Sequence, residues 1–173
     1  MPSQEWKRKR YKQKWYAGDT VSVGIGQGYN LVTPLQLAYV TATLANDGIA
    51  YRPHLLKEVQ SSHTNKKRAL GTNMEFNLNL DPEHLALVKN AMVAVTQPGG
   101  TATMAGAGAS YAFAGKTGTA QVVGIKQDEK YIESKVQERY RDHAWFIAFA
   151  PADQPKIALA VLVENGGHGG SIA

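Results

Sequence analysis

Cysteine is absent from all 173 residues, which excludes disulfides, thiolate catalysis and cysteine-based zinc sites. No apolar run approaches the ~20 residues that a membrane-spanning helix needs. The opening Met1-Pro2-Ser3-Gln4-Glu5-Trp6-Lys7 also lacks the apolar stretch of a secretion signal, so the chain is expected to carry no signal or anchor of its own. The five histidines, His54, His63, His84, His143 and His168, are scattered, with no His-x-x-x-His and no carboxylate at ligand spacing. No metal site and no cofactor is therefore expected. Internal repeats are lacking. Gly24, Gly26 and Gly28 are spaced GxGxG, which fails the GxGxxG dinucleotide fingerprint, and they read instead as a loop with positive φ or close backbone approach.

Excess charge is confined to one segment. Residues 1–14 hold six basic groups against Glu5, while the remainder is balanced at 13 basic and 13 acidic, so the formal charge of +5 belongs to an arm rather than to the whole surface. A basic domain for nucleic acid is thereby disfavoured, and no nucleic-acid partner is expected. The arm interleaves cations with Trp6, Tyr11, Trp15 and Tyr16, a pattern that stacks bases or sits on anionic headgroups, but the simpler expectation is a solvated, partly ordered lead-in over residues 1–17.

Past the arm, residues 18–28 read as a short strand-like run dissolving into glycine. Thr33-Pro34-Leu35-Gln36 then writes a helix start: an N-cap hydroxyl, proline at the first helical position and glutamine at N3. This helix runs to Asn46-Asp47-Gly48 and is apolar enough to be mostly buried. Residues 49–59 read as extended, residues 60–71 as an exposed loop without periodicity. Asp81-Pro82 opens a second helix with the stripe Leu85, Val88, Ala91, Met92 and Val95, and Gln97-Pro98-Gly99-Gly100 ends it. After a Gly/Ala-rich stretch with the makings of a short helix, residues 111–123 form a strand with small residues at its centre. Dense charge over 126–142 marks a solvated excursion with room for a helical turn.

Two continuous apolar runs, 143–150 and 156–164, lie either side of Pro151-Ala152-Asp153-Gln154-Pro155. They are read as strands covered on both faces and paired as an antiparallel hairpin. The expected fold is α+β, an antiparallel sheet flanked by helices. The chain stops at Asn165–Ala173 without a closing helix; the Gly166–Gly170 stretch has the makings of an approach to a cleft, but the simpler expectation is a flexible linker. His143 is expected as a satisfied boundary residue, Trp145 and Phe146 as sheet core.

The sharpest chemical signal is Lys116-Thr117-Gly118-Thr119. An ammonium adds positive potential, two hydroxyls donate hydrogen bonds, and a glycine admits an extended ligand to the backbone: a recipe for holding a carboxylate. Alternation puts Lys116 and Gly118 on one face and Thr117 and Thr119 on the other, so all four serve one cleft only if the strand is an edge.

Such strands belong to the serine penicillin-recognising enzymes. The wider text matches too: Gly18–Tyr29, Thr33–Gln36, Asn46–Gly48, Arg52-Pro53-His54, Gly115–Val122, Arg141–Phe146 and Glu164–Gly167. In that order the chain resembles the C-terminal part of the penicillin-binding protein 2 family, class B peptidoglycan D,D-transpeptidases. The resemblance implies that residues 1–173 are part of a transpeptidase domain, 18–173 carrying the Lys116 strand and the hairpin beside it. It implies a serine acylated by a D-Ala-D-Ala stem peptide or a β-lactam, with the acyl group passed to an amine on a neighbouring strand. It implies elongation-machinery membrane proteins as partners, and the periplasmic face of the inner membrane for the complete protein. By the same resemblance Lys116 supports the hydroxyl proton relay, Thr117 and Thr119 bind the terminal carboxylate across Gly118, and the Thr119 N–H is an oxyanion donor. Tyr29 and the glycine loop are placed as an outer buttress.

The family pattern also requires Ser-x-x-Lys and Ser-x-Asn or Ser-x-Asp, and neither occurs here: no serine has a lysine three residues on. Alone, the chain is expected to be inert. Alternatives are a serine β-lactamase or D,D-carboxypeptidase of the same superfamily and, from another class, a basic-arm nucleic-acid-binding protein.

Overall fold

The computed structural model describes residues 2–124, 131–132, 135–167 and 169–173. Its centre is a three-stranded antiparallel sheet of β5 (Ala114–Ala120), β6 (His143–Ala150) and β7 (Ile157–Val163), in the order β5-β6-β7. Before it come helices α1 (Gln4–Tyr11), α2 (Ala17–Gly24) and α3 (Pro34–Ala45), then short strands β1 (Ile49–Tyr51), β2 (Glu58–Gln60), β3 (Lys67–Ala69) and β4 (Met74–Asn77), then α4 (Pro82–Thr96) and α5 (Thr103–Gly106). A four-residue helix, α6 (Gly169–Ile172), closes the chain. The antiparallel sheet between helices is the α+β arrangement expected from the sequence.

The register is continuous from Ala114↔Phe149 to Ala120↔His143 and from Ala144↔Val163 to Ala150↔Ile157. Directly paired side chains share a face. Ala114, Ile147, Phe149 and Ala158 therefore point together, and they meet Ala45 and Leu44 of α3 and Met92 and Val93 of α4. On the other face Phe146 and Ala148 meet Ala102, Val95, Phe113 and Ala173. Both helix starts form as written: the Thr33 hydroxyl accepts the Gln36 N–H at 3.2 Å while Gln36 returns the bond to the Thr33 N–H at 2.9 Å. Asp81 caps α4 through the Glu83 and His84 N–H groups.

Several expectations are corrected. The lead-in is a helix, capped by Ser3, whose Lys7 is buried at 2% exposure. The strand-like run at 18–28 is helix α2 up to Gly24; only Gly26 and Gly28 take positive φ, 77° and 67°. The capping carboxylate of Asp19 on the Tyr16 N–H, 2.7 Å, starts that helix, and a local cap outweighs the β propensity of Val21 and Val23. The loop 60–71 contains a strand, since β2 and β3 form an exposed hairpin and β4 pairs with β1. α3 is not mostly buried: Leu35 and Val40 are 67% and 61% exposed, because the sheet covers one side of it only. On α4 the buried residues are Leu85, Met92 and Thr96, while Val88 and Ala91 of the expected stripe are exposed. β7 is covered on one face; Ile157, Leu159 and Val161 lie open on the other. The tail is no free linker, because α6 packs on β5 and β6. Of the charged excursion, the turn at Glu138–Tyr140 is present, whereas 125–130 and 133–134 lie outside the described residues.

Candidate functional site

β5 carries Lys116, Thr117, Gly118 and Thr119 on the edge of the sheet, which is the condition under which all four can border one cleft. Small residues make the strand possible. A Cβ on Gly115 would stand 2.4 Å from the Phe146 ring, and one on Gly118 3.3 Å from the Trp145 Cβ. Backbone groups of an antiparallel strand alternate between its two sides. Those of Thr117, Thr119 and Gln121 face the open side, since Lys116 Nζ donates to the Thr117 carbonyl at 2.7 Å and Gln27 Nε2 to the Thr119 carbonyl at 2.5 Å. The Gln121 N–H donates to Gln27 Oε1 at 3.3 Å. The Thr119 N–H therefore points off the edge, where an approaching oxyanion would meet it.

The side chains divide as alternation requires. All four residues touch a cavity of about 280 Å³ lined also by Gly26, Gln27, Leu37 and Trp145, on the side of the strand to which the exposed Lys116 and Gly118 belong. Thr117 and Thr119 are half-buried on the opposite face: Thr117 Oγ1 lies 3.2 Å from Thr101 Oγ1, and Thr119 Oγ1 accepts the Gly169 N–H at 3.4 Å. Gly169 is pressed on the strand so closely that a Cβ there would stand 2.1 Å from the Gly118 carbonyl. The hydroxyls are thus reached around the edge, and the cation and cavity lie on the α3 side. A second, apolar cavity of about 230 Å³ between α3, β1 and β7 contains none of these four residues.

Residues that sequence reasoning left aside complete the site. Gln27 was hidden inside the glycine loop; its signal is its place between two positive-φ glycines. The loop does buttress β5, but through Gln27, while Tyr29 packs against Trp6 and Tyr11 at ring distances of 5.4 and 5.3 Å. Trp145 is half-buried and lines the cavity instead of closing the core; Phe146 is core at 6% exposure. His143 is a satisfied boundary residue, its Nδ1 accepting the Asn165 N–H at 2.9 Å. Asp142, buried at 6%, ties the segment after β5 to the tail: Oδ1 accepts the Val122 N–H at 3.4 Å and its carbonyl accepts the Gly167 N–H at 2.8 Å. Among the described residues no group of three His, Asp or Glu side chains could hold a metal, and no helix is long and apolar enough to cross a membrane.

The shortest ionic contact among the described residues lies outside the site. Lys7 Nζ reaches Asp19 at 2.5 Å and sits 4.7 Å over the Tyr16 ring and 5.3 Å over Tyr29. The hydrogen bond to Asp19 raises the Lys7 ammonium above its ordinary range, and the same bond, with the Tyr16 N–H, holds the Asp19 carboxyl below its own.

The chain as a whole is similar to known proteins. The model of the penicillin binding protein transpeptidase domain matches residues 5–173. Peptidoglycan D,D-transpeptidase MrdA of Haemophilus influenzae is 42% identical over 173 residues, covering 100% of this chain and 27% of that protein. The chain thus spans about a quarter of that relative's length. Pseudomonas aeruginosa PBP2, solved in complex with WCK 5153, is 42% identical with a TM-score of 0.75 over 99% of this chain and 34% of that one. Helicobacter pylori PBP2, solved as a complex with MreC, is 32% identical with a TM-score of 0.74 over 98% and 28% of the two chains. This chain belongs to the penicillin-binding transpeptidase family, in its class B branch, alongside penicillin-binding protein 2.

Proposed function

We propose that these residues form the substrate-carboxylate and oxyanion side of a peptidoglycan D,D-transpeptidase site, 1–173 being part of the transpeptidase domain, and that the nucleophile lies in polypeptide beyond them. The supporting observation is the open edge of β5, where the outward Thr119 N–H stands beside the Lys116 ammonium and the 280 Å³ cavity. A stem peptide ending in D-Ala-D-Ala lies along this edge. Its terminal carboxylate is held in the field of Lys116 and by the hydroxyls of Thr117 and Thr119, with Gly118 admitting it to the backbone. The Oγ of a Ser-x-x-Lys serine attacks the penultimate carbonyl, whose oxygen gathers charge against the Thr119 N–H. The C–N bond breaks and the serine proton reaches the departing D-Ala amine through a relay that includes Lys116; an amine from a neighbouring strand then attacks the seryl ester, whose C–O bond breaks as the amine's proton returns to the serine oxygen. A β-lactam presents the same carbonyl and carboxylate and acylates the same serine. Elongation proteins are proposed partners, supported by the Helicobacter relative's complex with MreC, and the periplasmic face of the inner membrane is the proposed location. No cofactor enters the scheme.

Lys116→Ala in the complete enzyme tests the assignment. Labelling by a fluorescent penicillin is expected to fall by at least ~10²-fold, the scale of losing an electrostatic group at an acyl-transfer site. Near-normal labelling would refute it.

A further inference from the structure

Along the open edge of β5, and just before the strand begins, three outward carbonyls already have donors. Thr96 Oγ1 donates to the Phe113 carbonyl at 2.9 Å, Lys116 Nζ to that of Thr117 at 2.7 Å, and Gln27 Nε2 to that of Thr119 at 2.5 Å. Gln27 differs from the other two because it also accepts, from the Gln121 N–H at 3.3 Å. A primary amide offers one acceptor and a donor in a plane, as a peptide group does. Across Ala120 it therefore occupies the two ladder positions that one residue of a neighbouring strand would take.

The loop is shaped to hold it there. Gly26 and Gly28 flank it at φ 77° and 67°, its own N–H donates to the Ser22 carbonyl at 2.8 Å, and Asn30 Nδ2 donates to the Val23 carbonyl at 3.0 Å. A Cβ on Gly28 would stand 3.1 Å from that of Ser22, so the turn is tight as well as left-handed.

We infer that Gln27 is a positioning residue for acyl transfer: its amide pins the Thr119–Gln121 backbone, ends strand pairing just past Thr119, and so fixes the direction in which the Thr119 N–H meets the reacting carbonyl. This rests on the transpeptidase reading. Removing the clamp keeps the Lys116, Thr117 and Thr119 side chains in the site but lets the Thr119–Gln121 backbone, and with it the Thr119 N–H, drift, and misplacement by about 1 Å costs on the order of 10²-fold in rate. Gln27→Glu is the sharper variant, since it keeps the acceptor for Gln121 and aims a carboxylate at the Thr119 carbonyl until it is protonated.

Two measurements test it. In the 173-residue chain, amide exchange at Gln121 is expected to quicken in Gln27→Ala while exchange within β6 stays unchanged; equal exchange at Gln121 in both chains overturns the clamp. In the complete enzyme, the rate of penicilloyl mass gain in Gln27→Glu is expected to fall on the order of 10²-fold at neutral pH and to approach wild type as pH drops through the ordinary carboxyl range near ~4.3. A Gln27→Glu rate equal to wild type at every pH overturns the positioning role, and so does a deficit that acid does not relieve. Should the wild-type enzyme take up no penicilloyl group, the transpeptidase reading fails and the positioning role with it, while the exchange result still decides whether the clamp exists.

Discussion

Lys7 and Phe149 are hidden from solvent to nearly the same degree, 2% and 1% exposed, yet they hold their regions by opposite means. Phe149 sits among Ala45, Met92 and Ala114, where strands and helices from distant parts of the chain share one apolar interior. Lys7 sits among Asp19, Tyr16 and Tyr29, where one cation and three near neighbours in sequence or in the next turn fasten α1 to α2 and the glycine loop. Apolar burial is shared over many contacts and binds a region cooperatively. A buried ion pair is local, and it depends on both partners being charged. The sheet that presents Lys116 and Thr119 is therefore the cooperative part of the chain, and the lead-in an appendage secured by the Lys7 cluster and the Trp6–Tyr11–Tyr29 rings beside it.

The largest effect that separates the two regions is expected from Phe149→Ala. It should lower stability by about 3–5 kcal/mol, read from the urea midpoint, because the cavity opens between both helices and the sheet. Loss confined to α1 would contradict the division. Lys7→Met is expected to act the other way: trypsin cleavage after Arg8, Lys9 and Arg10 accelerates as α1 detaches, while amide protection in β6 is retained. Unchanged cleavage would mean that the Trp6–Tyr11–Tyr29 rings alone hold the helix. Acid should reproduce the detachment. Asp19 titrates below its ordinary value near 3.8, so its contribution is present above that value and is lost as pH falls through the depressed one. Lys7, raised above 10.5, loses its share only in strong alkali. Protection of α1 that persists to the lowest pH would count against the ion pair. The smallest effect belongs to Thr33→Ala, about 1 kcal/mol through the lost cap on α3, again read from the urea midpoint.

The same contrast explains what the sequence revealed. The β6–β7 hairpin and the starts of α3 and α4 were legible because continuous apolar runs and capping residues act locally and announce themselves by pattern. Lys116, Thr117, Gly118 and Thr119 stood out by residue type, and alternation posed a condition, an edge strand, that β5 meets; their chemical role stands as a proposal. The lead-in was not legible: nothing in a run of six cations tells which one turns inward, since that depends on Asp19 and two tyrosines arriving from the next segments. α2 defeated a strand reading because the Asp19 cap outweighed two valines. Gln27 was missed because its partners, Thr119 and Gln121, lie more than ninety residues on. The openness of α3 and β7 was also out of reach, because the length of an apolar run does not say what covers it.

Whether the acylated oxygen lies outside these residues is decided most directly by the mass of the 173-residue chain after incubation with benzylpenicillin, beside the complete enzyme. The account predicts a penicilloyl adduct on the complete enzyme and none on this chain, which has the Lys116 edge but no serine with a lysine one helical turn on. An adduct on this chain alone would place the nucleophile among its own serines and contradict the division of the site.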